Sequence, residues 1–277
     1  MKTQLIFVAL VSIFLSFGCT ADYKTGVEPW SQLDQGLFLG VFDSPQKSEI
    51  GDSKITAVKI DPRYYSLKLF SVSEYGTDRK SARNWCKEHQ LIGAVNAGMF
   101  QTDLISNVGF MKNFDHLNNA HLNKYNSVLA FNRVDSTVPE VQIIDRVCQD
   151  FESVQEKYQT LVQNIRMISC EQENVWEQQA EKWSIVALGM DQSGNVLFIF
   201  SRSPYTVHDF VNILLKLPLS LHNAMYLEGG PEASLYFTHG DVEVDLNGNF
   251  ETGFSENADI NINWPLPNVI GFVKKEK

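Results

Sequence analysis

Cysteine is scarce, with four in 277 residues, at positions 19, 86, 148 and 170. No Cys-x-x-Cys pair exists, and His89, His116, His121, His208, His222 and His239 show no zinc-ligand spacing, so no metal site is expected. Positive charge is also short: 23 Lys and Arg stand against 33 Asp and Glu, a formal net charge of -10. Such a chain repels phosphate backbones over long range, and the basic tail Lys274-Lys275-Glu276-Lys277 is too short for a nucleic-acid footprint. Internal repeats and Pro/Gly/Ser linkers are missing, which favours one large domain over two small ones at this length. An aromatic content of 12% excludes general disorder.

Long apolar runs are missing too, except at the N-terminus. Lys2 precedes an apolar stretch from Leu5 to Phe17, broken only by Ser12 and Ser16 and closed by Gly18-Cys19. This is too short for a comfortable membrane span and has the layout of a secretory signal. Gly18-Cys19 resembles a bacterial lipobox, although Ser16 stands where Leu is usual. The expectation is a signal over residues 1–18, a lipidated Cys19 attached to a membrane, a tether over 19–35 and a folded domain over 36–277. An ordinary signal peptide cut near Gly18 is the alternative. The chain is accordingly assigned to the bacterial cell envelope, lipid-anchored and facing the periplasm or the cell exterior. Cys148 and Cys170 flank what reads as one helical segment and could close a disulfide; three buried thiols are the alternative.

"GLFLGVFD", "SKITAVKIDP", "YYSLKLFSVS", "LIGAVNAGMF", "SVLAFN", "EVQIIDR" and "VIGFVKK" read as strands from their alternation and β-branched content. "WSIVALGMDQSGNVLFIFSR" is a hairpin, and "DVEVDLNGNF" reads as another with Asn247-Gly248 as its turn rather than a calcium loop. Three helices are predicted. One is capped by Asp78 and carries Ala82, Trp85 and Cys86 on one side. One runs through Phe151, Val154, Tyr158, Leu161 and Ile165. One is capped by Thr206, with Asp209 completing a capping box. No regular strand–helix–strand alternation appears. The fold class is therefore α+β, a single domain of largely antiparallel or mixed sheets with packed helices.

Three apolar strands end in a functional group beside small residues: Asn96 before Ala97-Gly98, Arg202 before a capped helix, and Glu228 before Gly229-Gly230. Glycine at a strand end permits a tight turn or exposes backbone amides to an anion. Plain structural roles stand beside these: an Asx-turn for Asn96, an ion pair for Arg202, a cap of its own loop for Glu228, and a solvated helix face for His208.

"AVNAGMF", "YNSVLAF", "SIVALGMDQSGNVLFIFSR", "NAMYLEGGPEASLYF" and "WPLPNVIGFV" together resemble, in order and spacing, the phosphodiester glycosidase domain family, from about Lys54 to Val273. Asn96 falls on the family's asparagine. Glu228 falls on its aspartate, and Gly229-Gly230 fall on its first two glycines. Pro231-Glu232 replaces a Gly-Ser pair, and the family's arginine before Ala187-Leu188-Gly189 is absent. The resemblance implies hydrolysis of a sugar-1-phosphodiester at the anomeric carbon, on a phosphorylated carbohydrate or envelope glycan. Glu228, Glu232 and Asn96 would be the catalytic groups, with Arg202, Arg166, Gly229 and Gly230 on the phosphate side and supporting roles for His208 and Ser234. No cofactor is called for, and a divalent cation stays open. The rival reading is a lipid-anchored, non-catalytic glycan-binding or envelope-scaffolding protein.

Overall fold

Short runs of β-branched and aromatic residues, bounded by polar turns, pair as antiparallel strands throughout the chain. The computed structural model describes residues 29–252 and 264–276. The expected signal and Cys19 lie outside the described residues. Within the stretch read as a tether, Trp30–Asp34 forms an edge strand paired with Leu37–Asp43.

The larger sheet has eleven strands. From edge to edge it runs Trp30–Asp34, Leu37–Asp43, Lys54–Ile60, Val196–Tyr205, Trp183–Asp191, Leu221–Gly229, Tyr158–Ile168, Met111–Asn113 and His116–Asn119. Ser127–Arg133 also pairs Tyr158–Ile168 and carries Val141–Asp145 on its far side. The smaller sheet has five strands, ordered Val242–Asn247, Ser234–His239, Gly93–Asn96, Asn268–Lys274 and Tyr65–Ser71.

Alternation along each strand places one apolar row between the sheets. Val186, Phe198, Phe200 and Leu227 of the larger sheet meet Val95, Leu235, Phe237 and Phe272 of the smaller. Burying each such side chain stabilises by about 1.5–3 kcal/mol. The other row of the larger sheet, including Ile185, Ala187 and Ile199, is covered by the helix Val207–Lys216 through Val207, Phe210, Val211 and Leu214. The helix Ala82–His89 lays Trp85 and Cys86 on the outer face of the smaller sheet, against Phe70, Ala94 and Tyr236. The layers therefore run helix, sheet, sheet, helix. The antiparallel expectation holds, but the protein is richer in strand than a balanced α+β domain.

Local expectations need correction. The helix read through Phe151 and Ile165 stops at Val154, and Tyr158–Ile168 is an eleven-residue strand. That strand is buried on both faces and pairs three neighbours, so apolar residues at three- and four-residue spacing arise without a helix. Its β-branched residues Thr160, Val162, Ile165 and Ile168 suit the pleat. The segment between Cys148 and Cys170 is accordingly mostly strand, and the two cysteines are joined as a disulfide. Cys86 is the free, buried thiol, and burial pushes its pKa up.

The helix Ala82–His89 is capped by Ser81, whose Oγ accepts from the Asn84 N–H at 3.3 Å, and not by Asp78. The bridge between Lys80 and Leu266 keeps the preceding residues extended. Thr206 caps its helix as expected, accepting from the Asp209 N–H at 3.0 Å. The polar hairpin turns at Gly240, between Ser234–His239 and Val242–Asn247. Gly248 is no turn residue; its N–H donates to the Ala233 carbonyl at 2.8 Å.

Candidate functional site

The Leu221–Gly229 strand lies centrally in the larger sheet, which fixes the position of its last residues. Its register against Trp183–Asp191 shifts at Leu227: Tyr226 opposes Ala187, while Glu228 opposes Val186. Directly opposed residues share a face, so this one-residue bulge turns Glu228 away from the face of Tyr226. Bulges commonly re-aim a side chain next to a site. Gly229 opposes Ile185, and a Cβ there would stand 2.1 Å from the Tyr226 hydroxyl and 2.3 Å from the Trp183 ring. Only glycine fits. Gly230 has φ +69, which again favours glycine, and it opens the short 3-10 turn Gly230–Glu232.

Glu228 is half-buried, and its Oε1 accepts from the Gly229 N–H at 3.0 Å. It therefore does cap its own turn. Burial raises its pKa from 4.5 to about 8, opposed by the Gly229 N–H and reinforced by the charge of Glu232. Burial also raises Glu232. Two partly buried carboxylates close together cannot both ionise cheaply, which pushes their protonation states apart. Tyr226 stays a neutral phenol: burial raises it well above its usual range, and Glu228 adds to the effect.

Asn96 ends a strand of the smaller sheet, and its amide reaches across to this turn. Its Nδ2 donates to the Glu232 carbonyl at 2.9 Å and its Oδ1 accepts from the Ser234 N–H at 2.8 Å. Ser234 Oγ donates to the Glu232 carbonyl at 3.1 Å. Asn96 and Ser234 are both buried, so they hold the Glu232 turn in place. Glu228, Glu232, Asn96, Ser234, Gly229 and Gly230 thus come together as one cluster.

Arg166 and His208 are engaged elsewhere. Arg166 Nε donates to Asp145 Oδ2 at 2.7 Å, and the same oxygen accepts from the Cys170 N–H at 3.0 Å. Arg202 lies on the strand Val196–Tyr205, where its carbonyl accepts from Ser184 Oγ at 2.5 Å. His208 Nδ1 donates to the Trp176 carbonyl at 2.6 Å, pinning the segment that lays the Trp176 ring 5.3 Å from that of Tyr226. His208 therefore supports the site at one remove, through Trp176.

A phosphodiester glycosidase family model matches residues 89–273. The chain belongs to the phosphodiester glycosidase family. Among solved structures, the chain is similar to the catalytic domain of zebrafish N-acetylglucosamine-1-phosphodiester alpha-N-acetylglucosaminidase, auto-inhibited by its pro-peptide. That match has a TM-score of 0.59 at 13% identity and covers 87% of this chain and 82% of that one. A hypothetical protein from Synechocystis matches with a TM-score of 0.57 at 13% identity, over 87% of this chain and 62% of that one. These two likenesses speak for the fold. A search of curated proteins found no match.

Sequence reading missed Tyr226 and Trp183 at this turn. Tyr226 stands two residues before Glu228, but only the bulge at Leu227 and the missing Cβ of Gly229 show why it matters. Trp183 opens the hairpin and looks like an ordinary core aromatic. Its buried Nε1 and the Tyr226 hydroxyl meet at the space left by the missing Cβ of Gly229.

Proposed function

We propose that this family member hydrolyses a sugar-1-phosphodiester at the anomeric carbon, at the Glu228–Glu232 turn. What supports the reading is a carboxyl group re-aimed by a bulge at a rigid strand end, beside a second carboxyl whose turn Asn96 and Ser234 brace, with burial raising the pKa of Glu228 to about 8. A neutral Glu228 lets an anionic phosphodiester approach without like-charge repulsion. It can donate a hydrogen bond to the bridging oxygen as negative charge develops there. The leaving group is a phosphate monoester whose second pKa is about 6, so full proton transfer is less necessary than for an alcohol. Glu232 takes a proton from the attacking water. The new bond joins that water oxygen to the anomeric carbon, the bond from that carbon to the phosphate oxygen breaks, and the products are a free sugar and a phosphate monoester.

Arg202 remains the cation assigned to the phosphate at this turn. Attachment to the envelope through a lipidated Cys19, with a phosphorylated envelope or extracellular glycan as substrate, belongs to the same proposal. The test is turnover of a set of sugar-1-phosphodiesters by the wild-type protein and by Glu228→Gln. Turnover should fall at least ~100-fold in the variant, about 2.7 kcal/mol of transition-state stabilisation. Wild-type activity should decline as pH rises through about 8, where Glu228 ionises. Full activity in Glu228→Gln, or a wild-type rate that keeps rising beyond pH 9, would refute the assignment.

A further inference from the structure

A second cleft, of about 500 Å³, opens where the strand Tyr158–Ile168 extends past its neighbour Ser127–Arg133. Its walls include Lys124, Tyr125, Ile165, Arg166, Trp176 and Glu177. The volume is that of an ordinary small-ligand pocket. Two aromatic rings and two cations converge on it, in a chain whose overall charge is -10.

The loop that presents Lys124 is rigid. The fully buried Gln163 donates through Nε2 to the carbonyls of Asn123, at 3.0 Å, and Tyr125, at 2.5 Å. Arg146 Nη1 donates to the same two carbonyls at 2.8 and 3.1 Å. The Tyr125 N–H donates to Asn123 Oδ1 at 2.8 Å, closing the turn. Both residues flanking Lys124 are thus clamped from behind, while Lys124 itself is exposed and, among the described residues, has no ion-pair partner. Facing it, Arg166 has its Nε edge fixed by Asp145. Trp176 is held by three hydrogen bonds: its N–H to Asn174 Oδ1 at 3.0 Å, its Nε1–H to Gln179 Oε1 at 2.8 Å, and its carbonyl from His208. Preorganised cations and rings lower the cost of ordering them on a ligand.

We propose that this cleft binds a phosphorylated sugar unit. The anionic group lies between Lys124 and Arg166, and the ring packs on Trp176 or Tyr125. Aromatic faces suit the apolar face of a sugar ring, and a lysine point charge beside a guanidinium suits a phosphate. Asp145 offsets the charge of Arg166 and Glu177 that of Lys124, so an anion here depends on direct contact with the exposed Lys124 ammonium and the free edge of Arg166. The Trp176 ring lies 5.3 Å from that of Tyr226, two residues before Glu228 on the same strand; resting on the proposed function, the cleft is then a recognition subsite for a neighbouring part of a phosphorylated glycan. The inference concerns binding and stands apart from turnover.

The experiment titrates the full chain with glucose 1-phosphate, glucose and inorganic phosphate, following tryptophan fluorescence. Glucose 1-phosphate should give a saturable change that disappears in Trp176→Phe. Its Kd should rise at least ~10-fold in Lys124→Met, the loss expected for one charge-assisted contact, and recover in Lys124→Arg. Glucose and inorganic phosphate should each bind more weakly than the compound that joins them. An unchanged Kd in Lys124→Met, or glucose binding as tightly as glucose 1-phosphate, would overturn the proposal. Diester turnover on the same preparations keeps the two readings apart: binding with no turnover counts against the Glu228 assignment alone.

Discussion

Replacing Glu228 by Gln should stabilise the protein at alkaline pH and change it little at pH 5. In the folded protein Glu228 titrates at about 8, against 4.5 for a solvated glutamate. Between those values the native state holds a proton that the unfolded chain has released, so wild-type stability falls as pH rises. The slope for one such proton is about 1.4 kcal/mol per pH unit, which over this window sums to a ceiling of about 5 kcal/mol. Gln keeps the acceptor for the Gly229 N–H and removes the titration. The variant's advantage should therefore be at most about 1 kcal/mol at pH 5 and several kcal/mol at pH 8, where it levels off. Urea denaturation midpoints at pH 5, 6.5 and 8 measure it directly, because urea leaves ionic strength unchanged. If the two proteins lose stability in parallel across that range, Glu228 is solvated in the folded state, and the argument for a neutral acid at the turn fails with it.

Two further outcomes follow from other parts of the chain. Opening the Cys148–Cys170 disulfide, by Cys148→Ser or by a dithiol, should lower stability by about 3 kcal/mol for a bridge spanning 22 residues; denaturation curves that coincide with the oxidised protein would count against this. Membrane-extracted protein should show an acylated Cys19 by intact mass, and an unmodified soluble product starting at another residue would end the lipidation proposal.

The sequence by itself determined most of the strands. The alternation in "GLFLGVFD" and "SKITAVKIDP" and the apolar arms of "WSIVALGMDQSGNVLFIFSR" encode burial of one or both faces, and that signal is local. The helix cap at Thr206 was legible for the same reason, since cap and partner stand three residues apart. Glu228 was visible as a candidate because a carboxylate between an apolar run and two glycines is unusual within one short segment.

What only the tertiary structure decided involves partners distant in sequence. Tyr158–Ile168 is a strand because three other strands satisfy its backbone and both its faces are covered, which no local period records. Asn96 meets Glu232 and Ser234 across more than 130 residues, and that contact makes it the brace of the turn. Arg166 is bound to Asp145, whereas Lys124, which nothing nearby in the sequence marks, stands between two clamped neighbours at a cleft with no ion-pair partner among the described residues. The raised pKa of Glu228 arises from the mass packed around it and from Glu232, brought close by the turn. Residue order fixes which chemistry is available at a strand end, but desolvation and charge proximity depend on three-dimensional distance, so the protonation state was decided only when the sheets came together.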